Sequence, residues 1–446
     1  MPLFPTRVDA WLSNWRPSIL ARISIVLVFA ASTLMQVVGV PFTSSFGTRT
    51  RIDLDVYRLG SQLWQQGVSL YDVGSMPFTD DGIWLPFTYP PFAALSFVPL
   101  GAMPLTIAGW FVALTSIALV VVIVKIVLRV LDVGTAANRW WLAAAIAAAA
   151  IWLNPTWMTL GFGQVNIYLV TLIIVDVFVV GRHSRARGVL IGIASAIKLT
   201  PLVFVAVFVV ARQWRAAATV AITFACAAAL AAVWMPVDSW RYWTHTLFHT
   251  TRIGDPAGPI NQNLNALWIR LVDSQSAQQM LWLISSVVAT ALMVLAVRAA
   301  RPVAAFASDA TGRRADAMSV TIAIATWGLL ISPTTWGHHW VWVIPAIILC
   351  AVVAARTGDR RTRWVHTTIA VSGAVIFAIG PYQLLPKRVG DWTFFEHVVG
   401  NSYTLWGLCL LIALWLAPAK LSAPGAPGGE SAAEVPASQS EATPTS

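Results

Sequence analysis

The chain has 446 residues, of which 57% are apolar and only 11% are charged. Soluble domains carry about a quarter charged residues, so this composition excludes a water-soluble globular protein. The formal net charge of +10 comes from basic residues in short loops between apolar segments, which argues against a nucleic-acid-binding surface. Several uncharged stretches of about 18 to 25 residues match the hydrocarbon core of a bilayer. The sequence therefore predicts an all-α, polytopic membrane protein.

The basic loops predict how the chain is oriented in the membrane. Segment 1–22 carries three arginines and one aspartate, and the loops at 181–187, 298–314 and 356–363 are also basic. The positive-inside rule places these segments in the cytoplasm. The loops at 41–87 and 236–279 are polar without a basic excess, so we expect them on the periplasmic face.

The first predicted span, at about 23–40, leads into an amphipathic helix that begins near Arg51. Asp53 and Asp55 diverge by about 160° on this helix, so they cannot both face one reacting atom. Asp55 has Arg58 three residues later, a spacing typical of a surface ion pair. Asp53, which shares a side with Tyr57, is therefore the better candidate for chemistry.

The following segments alternate between spans and breaks. Three prolines within 84–92 prevent a regular helix and fit a chain that re-enters the membrane. Spans are predicted near 105–128, 140–153 and 165–180, with an outer loop at 154–166. Basic flanks only about 23 residues apart surround Lys198, which predicts a hairpin of short helices broken at Pro201, with Lys198 near its tip.

The remaining spans complete the membrane domain. They are predicted near residues 216–233, 279–297, 320–332, 341–354, 367–380 and 403–416. We expect about ten to thirteen membrane helices in one catalytic domain at 23–417. The cytoplasmic segment 1–22 precedes it, and the tail at 418–446, which is rich in Gly, Pro, Ala, Ser and Glu, is predicted to be disordered and cytoplasmic.

Candidate site residues fall at the periplasmic ends of these spans, where they can converge. They are Asp53, Gln164, Asn166, Asn261, Gln262, His338 and His339. Polar residues at a membrane interface are commonly just solvated. Lys198 is a stronger indication of a functional site, because a charged group at membrane depth needs a partner. A phosphate is a suitable partner. The three cysteines lie in apolar stretches and provide neither a disulfide framework nor a metal-ligand spacing.

Five motifs resemble those of glycosyltransferase family 87, whose members are multi-spanning GT-C mannosyltransferases of actinobacteria. They are Asp53-Leu-Asp-Val-Tyr57 and the segments at 85–92, 163–166, 192–201 and 332–342, in the same order over residues 20–417. The resemblance implies a polyprenyl-phosphate-mannose donor and an α-1,2-linked product on the periplasmic face. It implies a mannosylated glycolipid acceptor, such as a phosphatidylinositol mannoside, lipomannan or lipoarabinomannan. It also implies that Asp53 is the catalytic base.

The chemistry of the residues agrees with such a reaction. Displacing a phosphate from an anomeric carbon needs a base for the acceptor hydroxyl and positive charge or donors on the departing phosphate. We expect Asp53 to be that base, with inversion by a single displacement. The phosphate ligands are predicted to be Lys198, His338 and His339, and the sugar ligands Tyr57, Gln164, Asn166, Asn261 and Gln262. We expect no metal ion and no other cofactor.

Two alternatives stay open from the sequence. A polytopic protein with a lysine among broken helices can be a flippase for a polyprenol-linked sugar, although the two halves carry no repeat of comparable broken segments. The large polar outer loops favour a transferase. A GT-C enzyme for another sugar, such as arabinose or glucose, fits the same motifs.

Overall fold

The computed structural model describes residues 15–42, 51–249, 254–307, 311–386, 390 and 392–419. Within these ranges the chain is helical and forms no strand, apart from one isolated β-bridge between Asn261 and Trp336. The all-α prediction is confirmed. The tail beyond residue 419 and the first 14 residues lie outside the described residues.

The described part of the first half of the chain contains ten α-helices. They are α1 (Ile19–Val38), α2 (Ile52–Gln65), α3 (Pro91–Ser96), α4 (Val98–Gly101), α5 (Leu105–Val130), α6 (Arg139–Ala150), α7 (Asn154–Phe162), α8 (Asn166–Phe178), α9 (Val189–Ile197) and α10 (Val205–Val210). A 3-10 helix, Thr200–Phe204, leads directly into α10. The first of the two long loops predicted on the periplasmic face is partly helical, since α2 lies in it.

The second half contains ten more α-helices within the residues that the structure describes. They are α11 (Trp214–Trp234), α12 (Pro236–Thr244), α13 (Leu264–Leu271), α14 (Gln275–Ala299), α15 (Pro302–Ala305), α16 (Thr311–Ile331), α17 (Val343–Arg356), α18 (Arg360–Ile379), α19 (Phe394–Gly400) and α20 (Ser402–Leu416). Further 3-10 helices are Thr246–Phe248, Gly337–Trp342 and Pro381–Leu384.

In the described part of the chain, seven helical segments are long and apolar enough to cross a bilayer. The number rises to nine if α6 with α7, bent by 80°, and α19 with α20, bent by 68°, each form one span. Two apolar helical segments, α8 and Thr200–Val210, are shorter, and the predicted ten to thirteen spans require that at least one of them crosses too. The chain is thus a multi-pass membrane protein.

The predicted outer loop at 154–166 is wrong, because most of it forms helix α7. Pro155 occupies the first turn of this helix, where its missing N–H costs nothing. Gly163 ends the helix in the left-handed conformation (φ 72°). The predicted break near Lys198 is present, with Lys198 itself in an extended conformation between α9 and the Thr200–Phe204 turn.

Helix α2 is anchored at its N-terminal end. Arg51 precedes it in a left-handed conformation (φ 43°) and donates its N–H to the carbonyl of Gly161 at 3.1 Å. Leu54 is fully buried, and a Cβ added at Gly163 would lie only 2.6 Å from the Cβ of Leu54. The first turn of α2, which carries Asp53, is therefore fixed against the connection between α7 and α8.

The predicted ion pair between Asp55 and Arg58 forms at 2.6 Å. Its predicted surface location is wrong, since the two side chains are only 5% and 13% exposed. The second carboxylate oxygen of Asp55 accepts the N–H of Asp80 at 2.8 Å. Asp55 is buried because the loop that carries Asp80 packs against this face of α2, and its carboxylate holds that loop.

Candidate active site

A cavity of about 760 Å³ lies between α2, α8, α16 and the two breaks near Lys198 and His338. One part of its wall is polar and is lined by Asp53, Tyr89, Gln164, Asn166, Lys198, His338 and His339. Another part is apolar and is lined by Leu169, Val170, Ile173, Val203, Phe204, Ala325, Leu329 and Trp342. The wall follows α8 from Asn166 to Ile173, a distance of about 10 Å along a helix.

Asp53 reaches this cavity from the first turn of α2 and is half-buried. Burial raises the pKa of Asp53 from 3.8 to about 6, against the opposing effects of a hydrogen bond from Gln164 and of the Lys198 charge. A carboxylate with this pKa is ionised at neutral pH and is a stronger base than an exposed aspartate. It meets the requirement for a general base near the operating pH.

Three side chains beside Asp53 form a hydrogen-bonded chain. The Tyr57 hydroxyl donates to Gln164 Oε1 at 2.6 Å and lies 3.1 Å from the Tyr89 hydroxyl. Tyr57 is fully buried, stacks on Phe97 with ring centroids 4.4 Å apart, and is not among the described residues that line the cavity. The structure thus brings Gln164 and Tyr89 to the cavity and puts Tyr57 behind them.

Lys198 and His339 meet in the polar part of the cavity. Lys198 Nζ donates to Asn166 Oδ1 at 3.1 Å and lies 3.1 Å from His339 Nε2. The N–H of Trp336 donates to His339 Nδ1 at 3.2 Å, so a neutral ring carries its proton on Nε2. Two proton-bearing nitrogens then lie 3.1 Å apart, and an anion with several acceptor oxygens can accept from both.

His338 adds a second imidazole beside this pair, with its ring 4.6 Å from that of His339. Both of its ring nitrogens are buried, and neither has a hydrogen-bond partner among the described residues. The backbone carbonyl of His338 accepts from Asn166 Nδ2 at 3.0 Å, which fixes the turn. Because buried polar atoms are normally paired, the His338 ring points to a ligand that occupies the cavity.

Comparison with known proteins identifies the family. Residues 87–333 match the model of glycosyltransferase family 87. The chain belongs to glycosyltransferase family 87. The resemblance of the five motifs is thereby confirmed at the level of the family.

Family 87 relatives with curated names cover most of the chain. A polyprenol-phosphate-mannose-dependent alpha-(1-2)-phosphatidylinositol mannoside mannosyltransferase of Mycobacterium tuberculosis is 33% identical over 91% of this chain and 95% of its own length. The Mycolicibacterium smegmatis protein of the same name is 36% identical over 87% and 89%. A pentamannoside mannosyltransferase of M. smegmatis is 30% identical over 72% and 75%.

One solved structure is also similar, ArnT from Cupriavidus metallidurans bound to undecaprenyl phosphate. The similarity covers 90% of this chain and 77% of that chain, with 16% identity and a TM-score of 0.36.

Two predicted sugar ligands of this family 87 protein, Asn261 and Gln262, do not line the cavity in the described structure. The side chain of Asn261 accepts the N–H of Thr335 at 2.8 Å and donates to the carbonyl of Pro256. Gln262 is equally buried and donates to the carbonyl of Gly400 at 2.6 Å. Both amides are engaged by backbone groups, and they hold the segment that pairs with the 332–342 turn.

Tyr89 is a cavity residue that the sequence did not single out. It lies in the proline-rich segment after α2, and its backbone carbonyl accepts the Tyr71 hydroxyl at 2.6 Å. In sequence, an aromatic residue next to Pro90 is indistinguishable from an interfacial anchor. In the structure Tyr89 lines the cavity, and its hydroxyl contacts that of Tyr57.

No group of three or more His, Cys, Asp or Glu side chains that could hold a metal ion occurs in the described ranges. The predicted independence from metal ions stays a prediction, and removal of metal ions by a chelator tests it.

Proposed function

We propose that this family 87 protein is a membrane-embedded, inverting GT-C mannosyltransferase. It transfers mannose from polyprenyl-phosphate-mannose in α-1,2 linkage to a mannosylated phosphatidylinositol lipid on the periplasmic face. The observation that carries the proposal is that a carboxylate, Asp53, and a cluster of donors, Lys198 with His339, line one cavity that continues between apolar helices. The names of the mycobacterial relatives support the choice of donor and acceptor.

The donor lipid fits the two parts of the cavity. Its phosphate would lie against Lys198 and His339, with the unpaired ring of His338 as a third ligand. Its first isoprene units would extend along the apolar wall between Ile173 and Phe204. Because lipid tails are as apolar as this wall, the chain would be held there by van der Waals packing and not by removal from water.

Asp53 would act as the general base. Its carboxylate takes the proton from the acceptor hydroxyl while that oxygen forms a bond to the anomeric carbon of mannose. The bond from this carbon to the phosphate oxygen breaks on the opposite face, and polyprenyl phosphate leaves as an anion that Lys198 stabilises. A single displacement inverts the anomeric centre.

The mannose ring would contact the amides that line the cavity. Gln164 and Asn166 are the predicted sugar ligands that lie at its wall, and Tyr89 joins them. Tyr57 lies behind Gln164, and Asn261 and Gln262 engage backbone groups. We therefore propose that these last three residues support the wall and do not bind sugar hydroxyls.

The experiment is mannose transfer by the purified protein in detergent. Polyprenyl-phosphate-mannose is offered with a panel of phosphatidylinositol mannosides, lipomannan fragments and short mannosides, with Asp53→Asn and an EDTA-treated sample in parallel. We expect transfer by the wild type, unchanged by EDTA, and none by Asp53→Asn. The accepted substrate and the linkage of the product then define the acceptor.

Two outcomes would contradict the proposal. Full transfer by Asp53→Asn would exclude Asp53 as the base. An inactive wild type that moves the labelled donor across liposome membranes would be a flippase, and activity only with polyprenyl-phosphate-arabinose or a glucose donor would change the sugar.

A further inference from the structure

The hydrogen bonds beside Asp53 have a fixed direction. Gln164 Oε1 can only accept, so the single hydroxyl proton of Tyr57 lies in the 2.6 Å contact between them. The Tyr57 oxygen can then only accept in its 3.1 Å contact with Tyr89, so Tyr89 donates there. The order of donation is therefore Tyr89 to Tyr57 to Gln164.

This direction determines which end of the Gln164 amide faces the base. Because Oε1 is held by Tyr57, the NH₂ group is the end that is available to Asp53, in agreement with the lowering effect of Gln164 on the pKa of that carboxyl group. An amide that turned over would present an oxygen to the carboxylate and would lose its bond to Tyr57. Rotation of the amide is the motion that the Tyr57 hydroxyl opposes.

We propose that Tyr57 is a positioning residue for the proposed transfer reaction: its hydroxyl locks the Gln164 amide with the N–H groups towards Asp53, which keeps the carboxylate oriented and ionised for proton abstraction. The inference rests on the proposed function and deepens it. Tyr57 does not line the cavity, so its hydroxyl acts on the site through its two hydrogen-bond partners that do, Gln164 and Tyr89.

The other charged and titratable groups around Asp53 stay the same when Tyr57 changes. Lys198 faces Asp53 from the end of α9 and stabilises its ionised form, and Tyr89 faces it from the proline-rich segment. His339 contacts Lys198 on the side of the 332–342 turn. All three side chains remain in Tyr57→Phe, but Tyr89 loses the acceptor of its hydroxyl, so a variant of Gln164 is needed to assign a change in the titration of Asp53 to the amide.

The test is the pH dependence of kcat/KM for mannose transfer in the wild type and in Tyr57→Phe. The rate of the wild type rises with pH as Asp53 ionises. Loss of one hydrogen bond to the carboxylate should move this rise to higher pH by about one unit, with a rate that is about fivefold lower near pH 6 and little changed near pH 8.

Two further variants separate positioning from a general structural effect. Gln164→Met should shift the rise by itself, and Tyr57→Phe added to it should produce no further shift. Tyr403→Phe removes a comparable buried bond, from the Tyr403 hydroxyl to Asn154 Oδ1 at 2.9 Å, and should leave the pH profile unchanged.

An unshifted profile in Tyr57→Phe, or shifts that add in the double variant, would overturn the inference while the transferase activity itself stands. A wild type without transfer would instead refute the proposed function. Melting temperatures of all variants in detergent show whether each protein is folded.

Discussion

Asp53→Asn should separate activity from stability. The amide keeps the shape of the side chain and loses the proton acceptor, so transfer should fall by about 10²- to 10⁴-fold, the range for loss of a general base. Stability should not fall with it. Burial raises the pKa of Asp53 from 3.8 to about 6, so the folded protein favours the neutral carboxyl group. The ionised carboxylate present at neutral pH therefore destabilises the fold.

The size of the stability effect follows from this pKa. A shift of about two units, at about 1.4 kcal/mol per unit, corresponds to at most about 3 kcal/mol of destabilisation by the ionised carboxylate. The folded protein binds the proton more tightly than the unfolded chain does. Stability therefore decreases as the pH rises from about 4 to 6, and the full penalty is present above about pH 6.

The assay is thermal unfolding in detergent at pH 5 and pH 7.5, alongside mannose transfer. Asp53→Asn should melt at the same temperature as the wild type or higher, with the larger gain at pH 7.5. Asp55→Asn is the matched control, since its carboxylate pairs with Arg58 and accepts the N–H of Asp80. Breaking a buried pair costs about 3 to 5 kcal/mol, so this variant should melt lower and yet transfer mannose at a similar rate per folded molecule.

The reverse pattern would refute this reasoning. If Asp53→Asn melted several degrees lower with its activity retained, and Asp55→Asn lost transfer at an unchanged melting temperature, the two carboxylates would have exchanged roles. Loss of both properties in Asp53→Asn alone would show that the carboxylate is needed for folding.

Three further predictions concern the walls of the cavity. Lys198→Met should lower kcat/KM for the donor by about 10²- to 10³-fold without raising the acceptor KM, as steady-state kinetics with each substrate varied would show. Asn261→Ala should leave the Thr335 N–H unpaired and lower stability by about 1 to 3 kcal/mol, with an unchanged acceptor KM; a raised KM at an unchanged melting temperature would contradict it. Gly163→Ala adds a Cβ at a residue with φ 72°, and this atom would lie 2.6 Å from Leu54 Cβ. The variant should therefore loosen α2, reduce transfer and make α2 more susceptible to limited proteolysis.

The overall organisation could be predicted because the bilayer imposes it. Uncharged stretches of span length, basic loops and the break at Lys198 are visible as local patterns. Helix α7 was missed because the two glycines and two amides of 154–166 are typical of loops, whereas Pro155 at the first turn and Gly163 after the last are also helix boundaries. The pattern alone does not choose between these interpretations.

The site was predictable only in part. Asp53, Lys198 and the two histidines carry charge or imidazole at unusual depth, and the structure brings them to one cavity. Tyr89 has no such signal in the sequence. Its role depends on an α2 tyrosine 32 residues earlier, which a local pattern cannot reveal.

Buried amides show why residue type does not determine role in this protein. Gln164, Asn166, Asn261 and Gln262 were grouped as sugar ligands because all four stand at predicted outer ends of spans. Gln164 and Asn166 face the cavity, where they hydrogen-bond to Tyr57 and Lys198, and Asn166 also donates to the backbone carbonyl of His338. Asn261 and Gln262 lie outside the cavity wall and bond mainly to backbone groups, with Asn263 as a further partner of Asn261. Whether an amide faces the cavity, and not its place in the sequence, therefore separates residues that can bind substrate from residues that hold the wall.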